Sequence, residues 1–334
     1  MPPGDSQDDR AARRSRLLER RSQLSPEQQQ LFAERLRGRS PGATTAASPP
    51  ATVPCLVEIT PAAPSSRPPF FCVHPAGGDV LCFFPVARGM GADQPFYGLQ
   101  ARGLEDEQEP LTTIEEIAAA YITEMRRVQP AGPYHLGGWS FGGLVAFDMA
   151  QQLRAQGDEV VLLAVIDTGP GVPEHMPMDS ALVDEADPSR QLLVTAEYLK
   201  GLRGVDLGLT LADLAGRSAD EQIRLFVERI QRAGVMHAED SFGQVRRLLR
   251  VYRANVRAYR AYRARPYPGS ITVLHAAAEP DPDAPGDLGW SAFTPLPVDS
   301  REVPGDHVTM LAEPNVRVLA ETLRACLAEG KELR

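Results

Sequence analysis

The pentapeptide Gly138-Trp139-Ser140-Phe141-Gly142 has the clearest potential for chemistry in this sequence. A serine hydroxyl is a weak nucleophile by itself and needs a base beside it. A Gly-x-Ser-x-Gly run holds such a serine on a sharp turn between a strand and a helix, where the close backbone leaves room only for glycine. The pattern alone recurs by chance, but here an apolar strand pattern precedes it and a helical pattern follows it. It therefore predicts a nucleophilic serine at position 140.

A base for this serine is predicted at His307, which follows the last predicted strand and precedes the last helix. Of the six histidines it alone has this topology, which is where proteins with this serine turn place their base. The partner acid has two candidate positions. Asp167 ends a very apolar strand, where a carboxylate needs a polar partner, whereas Asp281 and Asp283 follow the next strand among prolines. Both positions can bring a carboxylate to the second imidazole nitrogen, although the context favours Asp167.

Two backbone amides are predicted to stabilise the oxyanion that forms when the serine attacks a carbonyl. The first is the N–H of Phe141, at the start of the helix that follows Ser140. The second lies in the turn after the early strand 70–74. Because Pro75 has no N–H, Ala76 carries the first available amide of that turn.

Three zones of the chain differ in composition. Residues 1–52 are polar and predict a flexible segment with one short helix, at about 26–37, that begins at a Ser-Pro-Glu capping pattern. Residues 53–330 alternate strand and helix patterns, which predicts an α/β domain with a mostly parallel sheet. Within that domain, residues 170–266 carry helical patterns only, and we expect this insertion to form a lid over the site.

The predicted elements of the domain follow from apolar runs and helical periodicity. The strands are predicted at 70–74, 96–99, 134–138, 159–167, 271–275 and 297–303. The helices are predicted at 79–90, 114–128, 144–156, 188–203, 218–233, 240–264 and 315–329.

Composition excludes several classes of protein. The 334 residues include 35 Lys and Arg against 44 Asp and Glu, and the net charge of −9 argues against a general nucleic-acid binder. No apolar run is long enough to span a membrane, and the charged N-terminus lacks the apolar stretch of a signal peptide. The four cysteines show no Cys-x-x-Cys spacing, which predicts buried thiols in a reducing cytoplasm and no metal site.

Four segments together resemble the releasing thioesterase domains of non-ribosomal peptide and polyketide synthases. The resemblance extends over residues 55–330, and Trp139 with the doubled Gly142-Gly143 is typical of domains embedded in synthases rather than of free-standing editing enzymes. The segments are 71–78, 95–104, 132–143 and 305–307.

The resemblance implies an α/β-hydrolase fold with a helical lid and a Ser140–His307–Asp167 triad. It implies transfer of an acyl chain from the phosphopantetheine arm of a carrier protein to the serine. The chain then leaves with water, or with one of its own amines or hydroxyls, and no cofactor takes part. The sequence carries no Asp-Ser-Leu pantetheinylation motif and begins with Met, so we expect a stand-alone enzyme or an excised synthase domain that acts on a separate carrier.

A row of arginines in the predicted helix 240–264 lies beside an apolar stripe of helical spacing. Such a row is most often the solvated face of a buried helix. In an acidic protein it also offers a local basic ridge, and we expect Arg250, Arg253 and Arg257 to attract an acidic carrier protein.

The sequence as a whole predicts a serine thioesterase. One alternative is a carboxylesterase or lipase, which would use the same triad on free oxygen esters. The other is a non-catalytic binding module on the same fold, which would have a broken triad.

Overall fold

The computed structural model describes five stretches of the chain: residues 55–60, 67–171, 180–235, 241–278 and 286–332. The predicted N-terminal segment, 1–52, and its helix at 26–37 lie outside the described residues. So do Asp281 and Asp283, the alternative positions for the acid.

A seven-stranded sheet forms the centre of the described domain, in the order β1-β3-β2-β4-β5-β6-β7. All neighbouring pairs are parallel except β1 with β3. This mostly parallel sheet confirms the predicted α/β class. The strands are β1 (Leu56–Thr60), β2 (Phe70–Val73), β3 (Phe96–Leu99), β4 (Tyr134–Trp139), β5 (Val160–Ile166), β6 (Thr272–Ala276) and β7 (Asp299–Val303).

Strand β1 is absent from the sequence prediction. It lies at the antiparallel edge of the sheet, and only Ile59 of its five residues is buried. A short, half-exposed edge strand has neither the continuous apolar run nor the clean alternation that identifies strands in a sequence.

Eight α-helices lie in the part of the chain that the structure describes. Helices α2 and α3 pack on one face of the sheet and α1 and α8 on the other, so that central strands such as β5 are buried on both sides. The helices are α1 (Phe84–Met90), α2 (Ile114–Met125), α3 (Phe141–Ala155), α4 (Ser189–Arg203), α5 (Leu211–Leu214), α6 (Ala219–Arg232), α7 (Ser241–Ala261) and α8 (Val316–Glu332).

The insertion between β5 and β6 forms a helical block, which consists of α4, α5, α6 and α7. Three of its helices occupy the predicted ranges, and the four-residue α5 was not predicted. Helix α6 begins at a capping box, in which Ser218 and Glu221 each bond the backbone N–H of the other. The block has an apolar cluster of its own, to which Leu192, Phe226 and Leu249 contribute. None of the described helices combines the length and apolar character needed to cross a membrane.

The parallel strands bring distant residues to one edge of the sheet. Val73 at the end of β2 is in register with Gly138, and Trp139 at the end of β4 is in register with Ile166. Residues that directly follow β2, β4 and β5 therefore lie along the same edge. Ser140 and Asp167 are two of them.

Candidate active site

Ser140 alone connects β4 to α3, with φ 57° and ψ −127°. A non-glycine residue in this left-handed region is strained, and such strain is common at functional residues. Helix α3 begins at the next residue, and Gly142 in its first turn lies against the end of β2. A Cβ added to Gly142 would lie 2.6 Å from the carbonyl oxygen of His74 and closer still to that of Val73. The turn thus brings the helix N-terminus against backbone, and only glycine fits there.

Asp167 and His307 are hydrogen-bonded, with 2.6 Å between Oδ2 and Nδ1. The other carboxylate oxygen of Asp167 accepts from the N–H of Ala276 at 2.8 Å. Burial raises the pKa of Asp167, but these hydrogen bonds outweigh it, and the pKa lies below its usual value. An ionised carboxylate can only accept, so Nδ1 of His307 is the donor and Nε2 keeps a lone pair for a proton.

The loop that carries His307 is organised by Asp306. Its carboxylate accepts from the N–H groups of Val308 and Thr309, at 2.9 and 2.7 Å. The backbone N–H of Asp306 in turn donates to the Thr309 hydroxyl. Asp306 therefore has a structural role, and the His307 side chain beside it is 41 % exposed, so that its imidazole is accessible.

Trp139 connects Ser140 to the histidine loop. Its indole Nε1 donates to the carbonyl oxygen of His307 at 3.1 Å, and the two rings lie 5.1 Å apart. Tyr198 of α4 also stacks on the indole, with 5.8 Å between the ring centroids. In the structure Trp139 therefore links the residue before Ser140 to the loop that carries His307.

The turn that carries Ala76 lies beside Phe141, the other predicted oxyanion residue. The imidazole of His74 stacks on the Phe141 ring at 5.8 Å, and the His74 side chain is fully buried. Its two nitrogens lie 2.6 Å from the carbonyl oxygen of Pro75 and 2.7 Å from the Tyr121 hydroxyl. Burial lowers the pKa of His74 to about 4, so that the ring is neutral near pH 7.

All three arginines of the predicted ridge have partners within the chain. Arg250 donates to the carbonyl oxygen of Gln108 at 3.0 Å and to other carbonyls of the loop after β3. Arg253 donates to an amide oxygen of α4, and Arg257 pairs with Glu185 at 3.2 Å. Arg250 is consequently a loop-holding residue, with 28 % of its side chain exposed, while Arg257 is 53 % exposed.

A cleft of about 580 Å³ is lined by arginines of α7 and by residues of this loop. Five arginines and three glutamates line it, which leaves a positive excess in a protein of net charge −9. The charged lining residues are Arg246, Arg247, Arg250, Arg253, Arg257, Glu107, Glu109 and Glu185.

The cysteines lie apart from the Ser140 turn in the sequence, and none forms a disulfide. Cys72, Cys82 and Cys326 are buried and Cys55 is partly exposed. Burial raises the pKa of the Cys55 and Cys326 thiols to about 11. Among the described residues, no three His, Cys, Asp or Glu side chains are grouped so that they could hold a metal ion.

Known sequences resemble this chain over its described domain. A family model described as a thioesterase domain matches residues 68–327. A dimodular nonribosomal peptide synthase of Bacillus subtilis is 49 % identical over 119 residues, which cover 36 % of this chain and 5 % of that protein. The nonribosomal peptide synthetase btyA of Aspergillus terreus is 29 % identical over 79 % of this chain and 29 % of its own length. The chain thus spans a small part of these relatives.

Solved structures share the fold. A four-domain nonribosomal peptide synthetase bound to AMP and glycine matches 88 % of this chain and 21 % of its own, with a TM-score of 0.73 and 27 % identity. The Vlm2 thioesterase domain matches 81 % of this chain and 96 % of its own, with a TM-score of 0.60 and 23 % identity. These matches confirm the predicted α/β-hydrolase fold, and the match to the family model over most of the chain shows that the protein belongs to the thioesterase domain family, of the type found in nonribosomal peptide synthetases.

Proposed function

We propose that the protein releases an acyl or peptidyl chain from the phosphopantetheine thioester of a carrier protein, through an acyl-Ser140 intermediate. The observation that carries this proposal is the Asp167–His307 hydrogen bond beside the strained Ser140 turn. Trp139 links the two parts, since it precedes the serine and contacts the histidine loop. The synthase relatives support a carrier-bound substrate.

In the proposed reaction, Nε2 of His307 takes the proton of the Ser140 hydroxyl as its oxygen attacks the thioester carbonyl. The N–H groups of Ala76 and Phe141 bind the oxyanion, and Asp167 stabilises the imidazolium. The carbon–sulfur bond then breaks, and the sulfur takes the proton from His307 and leaves as the phosphopantetheine thiol. Water, or an amine or hydroxyl of the chain, next gives a proton to His307 and attacks the carbonyl of the acyl-serine. The ester bond to Ser140 then breaks, and His307 returns the proton to the Ser140 oxygen.

This reaction needs no cofactor, because one histidine carries out every proton transfer and the sulfur of a thioester is a good leaving group. We place it in the cytoplasm, where free thiols such as the buried Cys72, Cys82 and Cys326 stay reduced.

The partner in this proposal is a separate acyl or peptidyl carrier protein. The positive cleft beside α7 supports electrostatic attraction of an acidic partner, and among the three ridge arginines Arg257 has the more exposed side chain. Replacing Arg257 by Glu is expected to raise the KM for a carrier-bound chain about threefold or more, without changing turnover of a small thioester. The matched control is Arg317→Glu on α8, because Arg317 is also exposed and paired with one glutamate. Equal losses on both substrates would contradict the docking role.

The catalytic assignment is tested by labelling with a fluorophosphonate and by the rates of three variants. Ser140→Ala is expected to abolish labelling, and Asp167→Asn to lower kcat by about 10⁴-fold because the imidazole would take the wrong tautomer. If Asp167→Asn kept near-full activity while Asp281→Asn or Asp283→Asn lost it, the acid assignment would be wrong.

The substrate class is tested with one acyl chain presented in two forms. We expect faster release from the carrier thioester than from a simple oxygen ester, whereas the reverse order would indicate a carboxylesterase. The mass of the released product separates its two routes, since hydrolysis gives a product heavier by one water molecule than cyclisation does.

A further inference from the structure

The orientation of the Ala76 N–H depends on the two peptide units that meet at this residue. Each peptide unit is planar, so the direction of its carbonyl sets the direction of its N–H. The first unit consists of the Pro75 carbonyl and the Ala76 N–H, and the second begins with the Ala76 carbonyl. The Ala76 N–H lies in the plane of the first unit, so contacts to the Pro75 oxygen orient it directly. Contacts to the Ala76 oxygen hold the second unit and so restrict movement of the Ala76 Cα to which this N–H is attached.

The first carbonyl is held from two sides. The oxygen of Pro75 accepts from the backbone N–H of Gly78 at 2.9 Å and from Nδ1 of His74 at 2.6 Å. Because a carbonyl can only accept, Nδ1 of His74 carries the proton in this bond. The Tyr121 hydroxyl lies 2.7 Å from Nε2 of the same ring and 3.1 Å from the carbonyl oxygen of Gln100. Both lone pairs of the Pro75 oxygen are thus used, and the plane that carries the Ala76 N–H is fixed.

The second carbonyl is held by the helical block. Asn255 of α7 donates from Nδ2 to the Ala76 oxygen at 2.9 Å, across 179 residues of sequence. Its side chain is 2 % exposed, in a helix whose neighbouring buried residues are apolar. Helix α7 also contacts this turn directly, since a Cβ added to Gly78 would lie 2.6 Å from Cγ1 of Val251.

A buried amide in an apolar helix face is unfavourable unless it is hydrogen-bonded. Asn255 is the only side chain among the described residues for which a hydrogen bond to the Ala76 carbonyl is found. An apolar residue of the same size would fill this position without a desolvation penalty. The amide is therefore best explained by its hydrogen bond to the Ala76 carbonyl, which an apolar residue could not form.

We propose that Asn255 and His74 are positioning residues that together aim the Ala76 N–H at the oxyanion, so that α7 of the helical block forms part of the oxyanion hole. This inference rests on the proposed function, because it requires the Ala76 amide to bind the oxyanion. Neither side chain touches the reacting atoms. Each acts through a backbone carbonyl next to Ala76.

The test compares Asn255→Leu with Gln222→Leu on a short-chain acyl thioester of N-acetylcysteamine. Gln222 is the matched control, because it is an equally buried amide of the same helical block that donates to Asp187 and Arg217 instead of the turn. Asn255→Leu is expected to lower kcat by about 10- to 100-fold, less than the loss of an oxyanion donor itself, with KM changed by less than about twofold. Gln222→Leu is expected to lower stability without changing kcat.

Inhibition by a trifluoromethyl ketone with the same acyl chain separates positioning from loss of stability. Attack by Ser140 on this ketone gives a tetrahedral adduct whose oxyanion occupies the same hole. The inhibition constant for Asn255→Leu is expected to rise by the factor by which kcat falls. If Asn255→Leu only loses stability, as Gln222→Leu does, and keeps kcat and inhibition at wild-type values, the inference is wrong.

His74 provides the second pair of variants. In His74→Asn the side-chain amide can still donate to the Pro75 oxygen, whereas in His74→Leu it cannot, so kcat is expected to be higher in the first. Equal kcat in the two would overturn the role of His74. The proposed function has its own test, since a Ser140→Ala variant that keeps wild-type turnover would overturn it. If Ser140→Ala is inactive but the His74 and Asn255 variants have unchanged kcat, only the positioning role is wrong.

Discussion

Acidification is expected to destabilise the protein through His74. The imidazole is completely buried, and the groups that face it are neutral: the Pro75 carbonyl and the Tyr121 hydroxyl. Burial lowers its pKa from 6.5 to about 4. In the unfolded chain the same side chain takes up a proton near pH 6.5. Between these two pH values the unfolded state binds more protons than the folded state, so stability falls as the pH falls.

The size of the effect follows from the two pKa values. The contribution of His74 is fully present above pH 6.5 and is lost progressively down to about pH 4. Because proton binding is coupled to unfolding, a folded-state pKa of about 4 and an unfolded-state pKa of 6.5 predict a loss of about 2 kcal/mol in the free energy of unfolding between pH 7.5 and pH 5. Since domains of this kind are stable by about 5–15 kcal/mol, such a loss is readily measured.

Urea unfolding at a series of pH values tests this expectation, with His74→Asn as the comparison. Asparagine does not titrate, so the stability advantage of the wild type over His74→Asn is expected to shrink by about 2 kcal/mol from pH 7.5 to pH 5. Asn255→Leu is the control: it removes a bond at the same turn but no titrating group, so its deficit is expected to stay constant. A wild-type advantage over His74→Asn that is independent of pH would refute the reasoning.

Three further predictions concern the Ser140 turn, the histidine loop and helix α3. Gly142→Ala is expected to lower the free energy of unfolding by more than about 2 kcal/mol, because the new Cβ would meet the backbone at the end of β2; unchanged urea unfolding would contradict the tight turn. Trp139→Phe removes the Nε1 bond to the His307 carbonyl and is expected to lower kcat on a small thioester about five- to tenfold, so an unchanged kcat would exclude a role for this bond in placing the histidine. Tyr262→Phe takes one hydrogen bond from the buried Asp148 of α3 and is expected to lower stability by about 1–3 kcal/mol in urea unfolding while kcat stays the same; wild-type stability would mean that the bond is dispensable.

Local pattern was sufficient for most of the fold. Strand β5 was predicted because its run of seven residues, Val160–Ile166, is apolar throughout, and α6 because its apolar residues recur at helical spacing. The serine turn was predicted because its close backbone contacts require glycine, and the glycines are visible in the sequence. In each case the element is determined by a few neighbouring residues, so a short sequence pattern is enough to predict it.

Contacts between distant segments were not predictable in the same way. The Trp139–His307 bond joins residues 168 positions apart, and the Asn255–Ala76 bond joins residues 179 apart. The arginines of α7 were predicted as one row, but the loop after β3 engages Arg250 and leaves Arg257 more exposed. Helical periodicity places a side chain on a face, whereas its partner depends on which other segment the fold brings against that face.

The helical block contacts both parts of the proposed catalytic apparatus. Tyr198 of α4 stacks on Trp139, which bonds the His307 loop, and Asn255 of α7 bonds the Ala76 carbonyl. The sheet edge by itself places Ser140 and Asp167, because both directly follow parallel strands. The histidine loop and the oxyanion turn are longer connections, and each of them is supported by a side chain of the block, directly or through Trp139. Moving the block away from the sheet would remove the Tyr198 stacking and the Asn255 bond together, so we expect such a movement to weaken oxyanion binding and to loosen Trp139, which bonds the His307 loop.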